Sequence, residues 1–80
     1  MQKVRIGLIG TGYIGRCHAI AYSQAPTVFN LKGELVREML AEVNPELAAA
    51  QAATLGFSRS TGDWRELVAD ENIDVVDICA

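Results

Sequence analysis

Val4-Arg5-Ile6-Gly7-Leu8-Ile9-Gly10-Thr11-Gly12-Tyr13-Ile14-Gly15 is the stretch that decides the fold. Val4 to Ile9 is a short run that becomes apolar on both faces toward its end, as an interior parallel strand does. A GxGxxG turn follows at once. Tyr13 to about Gln24 then reads as a helix, with Ile14, Cys17 and Ala21, joined by Ile20, on its buried side. Pro26 is expected to help end it. In this strand–turn–helix setting each glycine has a physical role. Gly10 permits the tight turn, Gly12 lets a pyrophosphate approach the backbone, and Gly15 lets the helix pack on the strand. The free N–H groups near Tyr13 and Ile14, with the positive end of the helix, would face the phosphates.

Outward from the turn, strand and helix patterns alternate. Thr27 to Gly33 has no clear period and reads as a loop. Leu35 to Glu42 fits a helical face as well as a strand; it is read as the second strand because a helix start follows it. That start is Asn44-Pro45-Glu46, with Asn44 as cap and Pro45 at the first helical position. The Ala-rich helix runs to Leu55 and stops at Gly56. Phe57-Ser58-Arg59 reads as a short third strand. Asp63 and Glu66 have the spacing of a capping box, opening a short helix through about Ala69. Ile73 to Ala80, rich in β-branched residues, is the fourth strand. This βαβαβαβ alternation predicts an α/β, Rossmann-like three-layer parallel sheet, partial, with strand order 3-2-1-4.

A chain of 80 residues is one small domain at most, and half of it is hydrophobic, which argues against disorder. Its formal charge of −3 and lack of a Lys/Arg cluster argue against nucleic-acid binding. No apolar run approaches the roughly 20 residues of a membrane span, and no signal-peptide pattern opens the chain. Cys17 and Cys79 make no CxxC and have no metal-ligand spacing around them. They read as two buried or half-buried free thiols of a cytoplasmic protein, with no metal site and no catalytic residue among the 80.

A dinucleotide turn needs an acid at the end of the second strand to accept the ribose hydroxyls. Glu42 is the candidate, 27 residues after Gly15 where about 20 is usual, and the Thr27 to Gly33 loop accounts for the excess. Glu38 is the alternative, inside the apolar run. A carboxylate at Glu42 would repel a 2′-phosphate, so NAD is expected over NADP. His18 reads as a structural residue on the helix face, and Trp64 as a packing residue more than an adenine flank. Asp74 and Asp77, on opposite faces of a strand, are not a catalytic pair.

Four segments together resemble the glucose–fructose oxidoreductase / inositol dehydrogenase (Gfo/Idh/MocA) family. They are Val4 to His18, Ala41-Glu42-Val43-Asn44-Pro45-Glu46-Leu47-Ala48, and the pair Gly62 to Leu67 and Ile73 to Ile78. The resemblance covers essentially the whole chain. It implies that Gly10, Gly12, Tyr13, Ile14 and Gly15 hold the pyrophosphate, that Glu42 holds the ribose, and that Cys79 and Ala80 border the cofactor cleft. The family more often has Asp where Glu42 stands, and the long stretch before the second strand resembles a subgroup with an insertion.

It further implies a full-length enzyme that oxidises a sugar or polyol hydroxyl. The catalytic lysine, the Pro-Asn-x-x-His-like turn and the substrate domain would lie beyond residue 80. Residues 1–80 are then the amino-terminal part of a dinucleotide-binding domain, expected to be inactive alone and to self-associate through the open edge at the fourth strand. The alternatives are a non-catalytic dinucleotide sensor and an FAD-binding start, the latter disfavoured by the long gap to Glu42.

Overall fold

The computed structural model describes residues 3–29 and 34–79. The strands are β1 (Lys3–Ile9), β2 (Glu34–Ala41), β3 (Arg59–Thr61) and β4 (Val75–Ile78); the helices are α1 (Tyr13–Phe29), α2 (Pro45–Leu55) and α3 (Trp64–Ala69). The sheet order is β3-β2-β1-β4 and every pair is parallel. The expected fold class and strand order are therefore observed.

Parallel neighbours need crossovers, and right-handed crossovers fix the side on which each helix lies. The chain steps from β1 to β2 to β3 in one direction, then returns past β1 to β4. Hence α1 and α2 cover one face and α3 the other. The side chains agree. Leu8 and Leu40 pack with Ala19 of α1, Ala48 and Ala52 of α2, and Phe57. Met39 and Ala41, their strand neighbours, point the opposite way onto Leu67 of α3, with Ile9, Ile73 and Val76 around it. Leu8, Leu40 and Leu67 are fully buried, and each contributes roughly 2 kcal/mol of transfer free energy. Small Ala side chains let α2 lie close on the sheet.

Local signals explain α2 at both ends. Asn44 Oδ1 accepts the Leu47 N–H at 2.7 Å, Pro45 takes the first turn, and Gly56 ends the helix at φ 78°. An L side chain is strained at that φ, so glycine is the residue that suits the stop.

Several sequence expectations change, among them the start of β4 at Val75 and not Ile73. α1 runs through Pro26 to Phe29; a proline removes one i→i−4 bond without having to end a helix. The excess between Gly15 and Glu42 is thus partly helical, not all loop, and residues 30–33 lie outside the described residues. Among the residues of α1 whose side chains are described, Gly15 and Ala19 are buried and Tyr22 is half-buried beside the core, while Cys17, Ile20 and Ala21 are exposed. Cys17 is consequently a surface thiol. β3 begins at Arg59, two residues later than the sequence indicated, because Phe57 turns into the α2-side core. Asp63 does cap α3, accepting the Arg65 N–H, but the capping box does not close: the Asp63 N–H donates to Thr61 Oγ1, and Glu66 accepts from that same hydroxyl.

Between Ile6 and Gly7 the register against β2 slips, pairing Ile6 with Arg37 and Gly7 with Met39. Glu38 is the extra residue, and it accepts from Arg59 Nε at 2.8 Å while Arg59 Nη1 donates to Asp70 at 2.7 Å. The two carboxylates raise the Arg59 pKa, and Arg59 in turn holds Asp70 below its ordinary value. Glu38 is thereby paired with Arg59 at the bulge within β2, whereas Glu42 stands at the carboxyl end of that strand. No helix among the described residues is long and apolar enough to cross a membrane.

Candidate dinucleotide site

The carboxyl ends of the strands gather the site, as expected for an open parallel sheet. Ladder-like hydrogen bonds continue past the strands: Gly10 N–H to Ala41 O (3.0 Å), Glu42 N–H to Thr61 O (3.1 Å) and Cys79 N–H to Ile9 O (2.8 Å). Gly10, Glu42, Gly62 and Cys79 therefore share one edge.

The glycine turn has the steric character that phosphate binding requires. Gly10 has φ 91°, in the region open to glycine. A Cβ on Gly15 would lie 2.2 Å from the Gly10 carbonyl oxygen, a contact no real side chain makes. A Cβ on Gly12 would meet nothing within 4 Å. Gly15 is thus set by packing inside the protein, whereas Gly12 faces open space of the kind a pyrophosphate would fill. The Arg16 N–H bonds to Gly12 O at 3.0 Å, which starts the ladder of α1. The preceding amides, at Tyr13 and Ile14, have no acceptor within the helix by its geometry. Tyr13 is 81% exposed; the side chain of Ile14 and the whole of Ala80 lie outside what is described.

Glu42 stands at the end of β2, but its carboxylate is not idle. Oε2 accepts the Thr11 N–H at 2.6 Å and also the Thr11 hydroxyl, while Oε1 accepts the Val43 N–H at 3.1 Å. Thr11 itself is buried. Burial alone would push the Glu42 pKa up; the bonds from the Thr11 hydroxyl, the Thr11 N–H and the Val43 N–H together outweigh it and hold the carboxyl below its ordinary value. It is ionised at neutral pH. A carboxylate has about four acceptor positions, so one remains for a ribose hydroxyl beside the three bonds in use.

A cleft of ≈ 270 Å³ opens along this edge, lined by Ile9, Gly10, Ala41, Glu42, Val43, Gly62 and Trp64. Trp64 is 56% exposed, so it walls the cleft and is not the packing residue the sequence suggested. Two contributors escaped sequence reading. Thr11 is the unspecified position of a GxG turn, and its partner is 31 residues away. Gly62 has no room for a side chain, since a Cβ there would lie 2.7 Å from Pro45; its signal is only a glycine beside a helix cap.

On the far side of the turn, Cys79 lies against Gly15, its Cβ 3.6 Å from where a Gly15 Cβ would be. Burial, with the Asp77 carboxylate beside it, pushes the Cys79 thiol up, so it stays protonated at neutral pH. His18, Asp77 and Cys79 place possible metal-ligand atoms within 4.8 Å of one another, a grouping hidden by separations of about 60 residues. His18 Nδ1 and Asp77 Oδ2, however, are 2.7 Å apart. Two ligands on a tetrahedral zinc, each at about 2.0 Å, would be about 3.3 Å apart. The spacing is that of a hydrogen bond. Asp74 lies at the other end of β4 and binds the Arg5 N–H at 2.8 Å, so Asp74 and Asp77 serve separate partners.

Comparison with known proteins agrees with this geometry. The model of an oxidoreductase family with an NAD-binding Rossmann fold matches residues 4–80. A levoglucosan dehydrogenase from Pseudarthrobacter phenanthrenivorans is 48% identical over 79 residues, covering 98% of this chain and 20% of the relative. The structure of a levoglucosan dehydrogenase in complex with NADH and levoglucosan superposes with a TM-score of 0.94 at 44% identity, over 99% of this chain and 22% of that one. An NAD-binding oxidoreductase from Klebsiella pneumoniae superposes at 0.93 with 42% identity, over 98% and 21%. The chain thus spans about a fifth of the length of these relatives.

Proposed function

The chain belongs to the Gfo/Idh/MocA oxidoreductase family, and from that premise we propose that its 80 residues are the NAD-holding start of a dehydrogenase. In this reading residues 1–80 form the amino-terminal part of a dinucleotide-binding domain, and the whole protein, cytoplasmic, moves a hydride from a sugar or polyol hydroxyl to NAD. The carrying observation is the pairing of a helix N-terminus over open space at Gly12 with an ionised Glu42 across the cleft. Gly10, Gly12, Tyr13, Ile14 and Gly15 would receive the pyrophosphate, Glu42 the adenosine ribose, and Cys79 and Ala80 would border the cofactor. NAD supplies the hydride acceptor; these residues bind and orient it. The substrate class follows the levoglucosan dehydrogenase relatives. The negative charge and the absence of a basic cluster support a small-molecule partner over a nucleic acid.

Glu42 is also the basis for cofactor choice. Its charge would repel a 2′-phosphate, so fluorescence titration is expected to give NADH a Kd at least about tenfold below that of NADPH, equivalent to about 1.4 kcal/mol. Equal affinities, or tighter NADPH, would remove the assignment. The 80 residues alone are expected to produce no NADH with any polyol, because donor and acceptor must be held together for transfer. Val75 and Ile78, exposed on β4, support association of isolated copies; sedimentation of a monomer at high concentration would contradict that part.

A further inference from the structure

Asp77 accepts from three directions. The Tyr22 hydroxyl and His18 Nδ1 meet its Oδ2, the latter at 2.7 Å, and Cys79 Sγ lies 3.5 Å from Oδ1. A carboxylate oxygen accepts, so the His18 ring donates to it from Nδ1, and the neutral ring in this arrangement is the Nδ1–H tautomer with Nε2 as its acceptor. The ring also meets Cys79 Sγ at 3.3 Å and packs edge-on to Tyr22, centroids 6.5 Å apart. His18 and Tyr22 are one turn apart on α1, the helix whose N-terminus is the glycine turn; Cys79 lies against Gly15 in that turn. One carboxylate on β4 therefore ties together the early turns of α1 and the strand end that lies against the glycine turn.

We propose that Asp77 is a positioning residue for the dinucleotide site: it clamps α1 onto β4, fixes His18 as the Nδ1–H tautomer, and so sets where the amides of the glycine turn point. The proposal rests on the dinucleotide reading above. A binding constellation must be held to about 0.5 Å by such support, and α1 has no acidic residue in its first turn to anchor it by charge. Asp77 would touch no part of the cofactor.

The test is nitrogen-15 NMR of the histidine ring together with NADH titration of the protein and its variants. The wild type is expected to show His18 protonated at Nδ1. Asp77→Asn, whose amide offers one acceptor oxygen and adds a competing donor, is expected to lose that tautomer preference and to raise the NADH Kd about tenfold, or about 1.4 kcal/mol. Tyr22→Phe removes one donor, should keep the tautomer, and should raise Kd about threefold, or about 0.7 kcal/mol. If Asp77→Asn fails to fold, Tyr22→Phe decides the matter. An Nε2–H tautomer in the wild type, or variants that bind NADH as the wild type does, would overturn the proposal. A wild type that does not bind NADH at all overturns the dinucleotide reading, and the positioning role with it, whatever the tautomer.

Discussion

Gly15→Ala is expected to destabilise the protein by about 3 kcal/mol, the upper part of the range for overfilling a packed site. The new Cβ would sit 2.2 Å from the Gly10 carbonyl oxygen. The obstacle is backbone, with no side chain able to swing aside, so α1 must lift from the turn. In a domain of this size about 3 kcal/mol lowers the melting temperature by roughly 12–24 °C, which calorimetry or circular dichroism reads directly. NADH binding should be lost with it. Gly12→Ala is the control, because a Cβ there meets nothing within 4 Å. It should melt within a few degrees of the wild type yet bind NADH far more weakly, since the methyl group would occupy the pyrophosphate's space. Equal melting losses for the two variants would mean that the turn is set by local strain and not by helix packing.

Glu42→Ala carries the second large effect. Thr11 is buried and gives both its N–H and its hydroxyl to Glu42. Removing the carboxylate strands both donors, at about 1–3 kcal/mol for each one that water cannot reach. The cleft is open to solvent on that side, so a total of about 2 kcal/mol is expected. Glu42→Gln keeps one acceptor oxygen and should lose about half of it. The wild type should also depend on pH in a defined sense. Because the folded pKa of Glu42 lies below its ordinary value of 4.5, its contribution is full above that value and fades as pH falls through the folded pKa. Chemical denaturation between neutral pH and acid should show the wild type losing more stability than Glu42→Gln. Parallel curves for the two would contradict the bonding at Thr11.

The parts of the fold that were legible in sequence are those whose causes are local. β1, the glycine turn and α2 follow from a short apolar run, a glycine spacing, an asparagine cap and a stop glycine. The end and face of α1 were not legible, because its buried stripe is chosen by what lies beneath it. Gly15 must face the Gly10 carbonyl, and that rotates Ala19 and Tyr22 inward while leaving Ile20 outside. The strength of Ile20 as a hydrophobic residue pointed to the wrong stripe. β3 began later than its apolar residue suggested because Phe57 belongs to the helical layer.

The site divided in the same way. Gly10, Gly12, Gly15 and Glu42 belong to a pattern that can be read along one dimension. Thr11 and Gly62 act through neighbours brought by the sheet, and neither residue type advertises that role. His18 was legible only as a helix-face histidine. Its partner Asp77 is 59 positions away, and no periodicity links them.

The most direct test of NAD binding at the glycine turn is a titration of the chain with NADH followed amide by amide in a nitrogen-15 NMR spectrum. Saturable shifts are expected to concentrate at Gly10, Gly12, Tyr13, Ile14 and Gly15, with a second group at Glu42 and Val43 across the cleft. Saturable binding that leaves those amides unmoved, or shifts confined to the opposite edge of the sheet near Arg5 and Asp74, would contradict it.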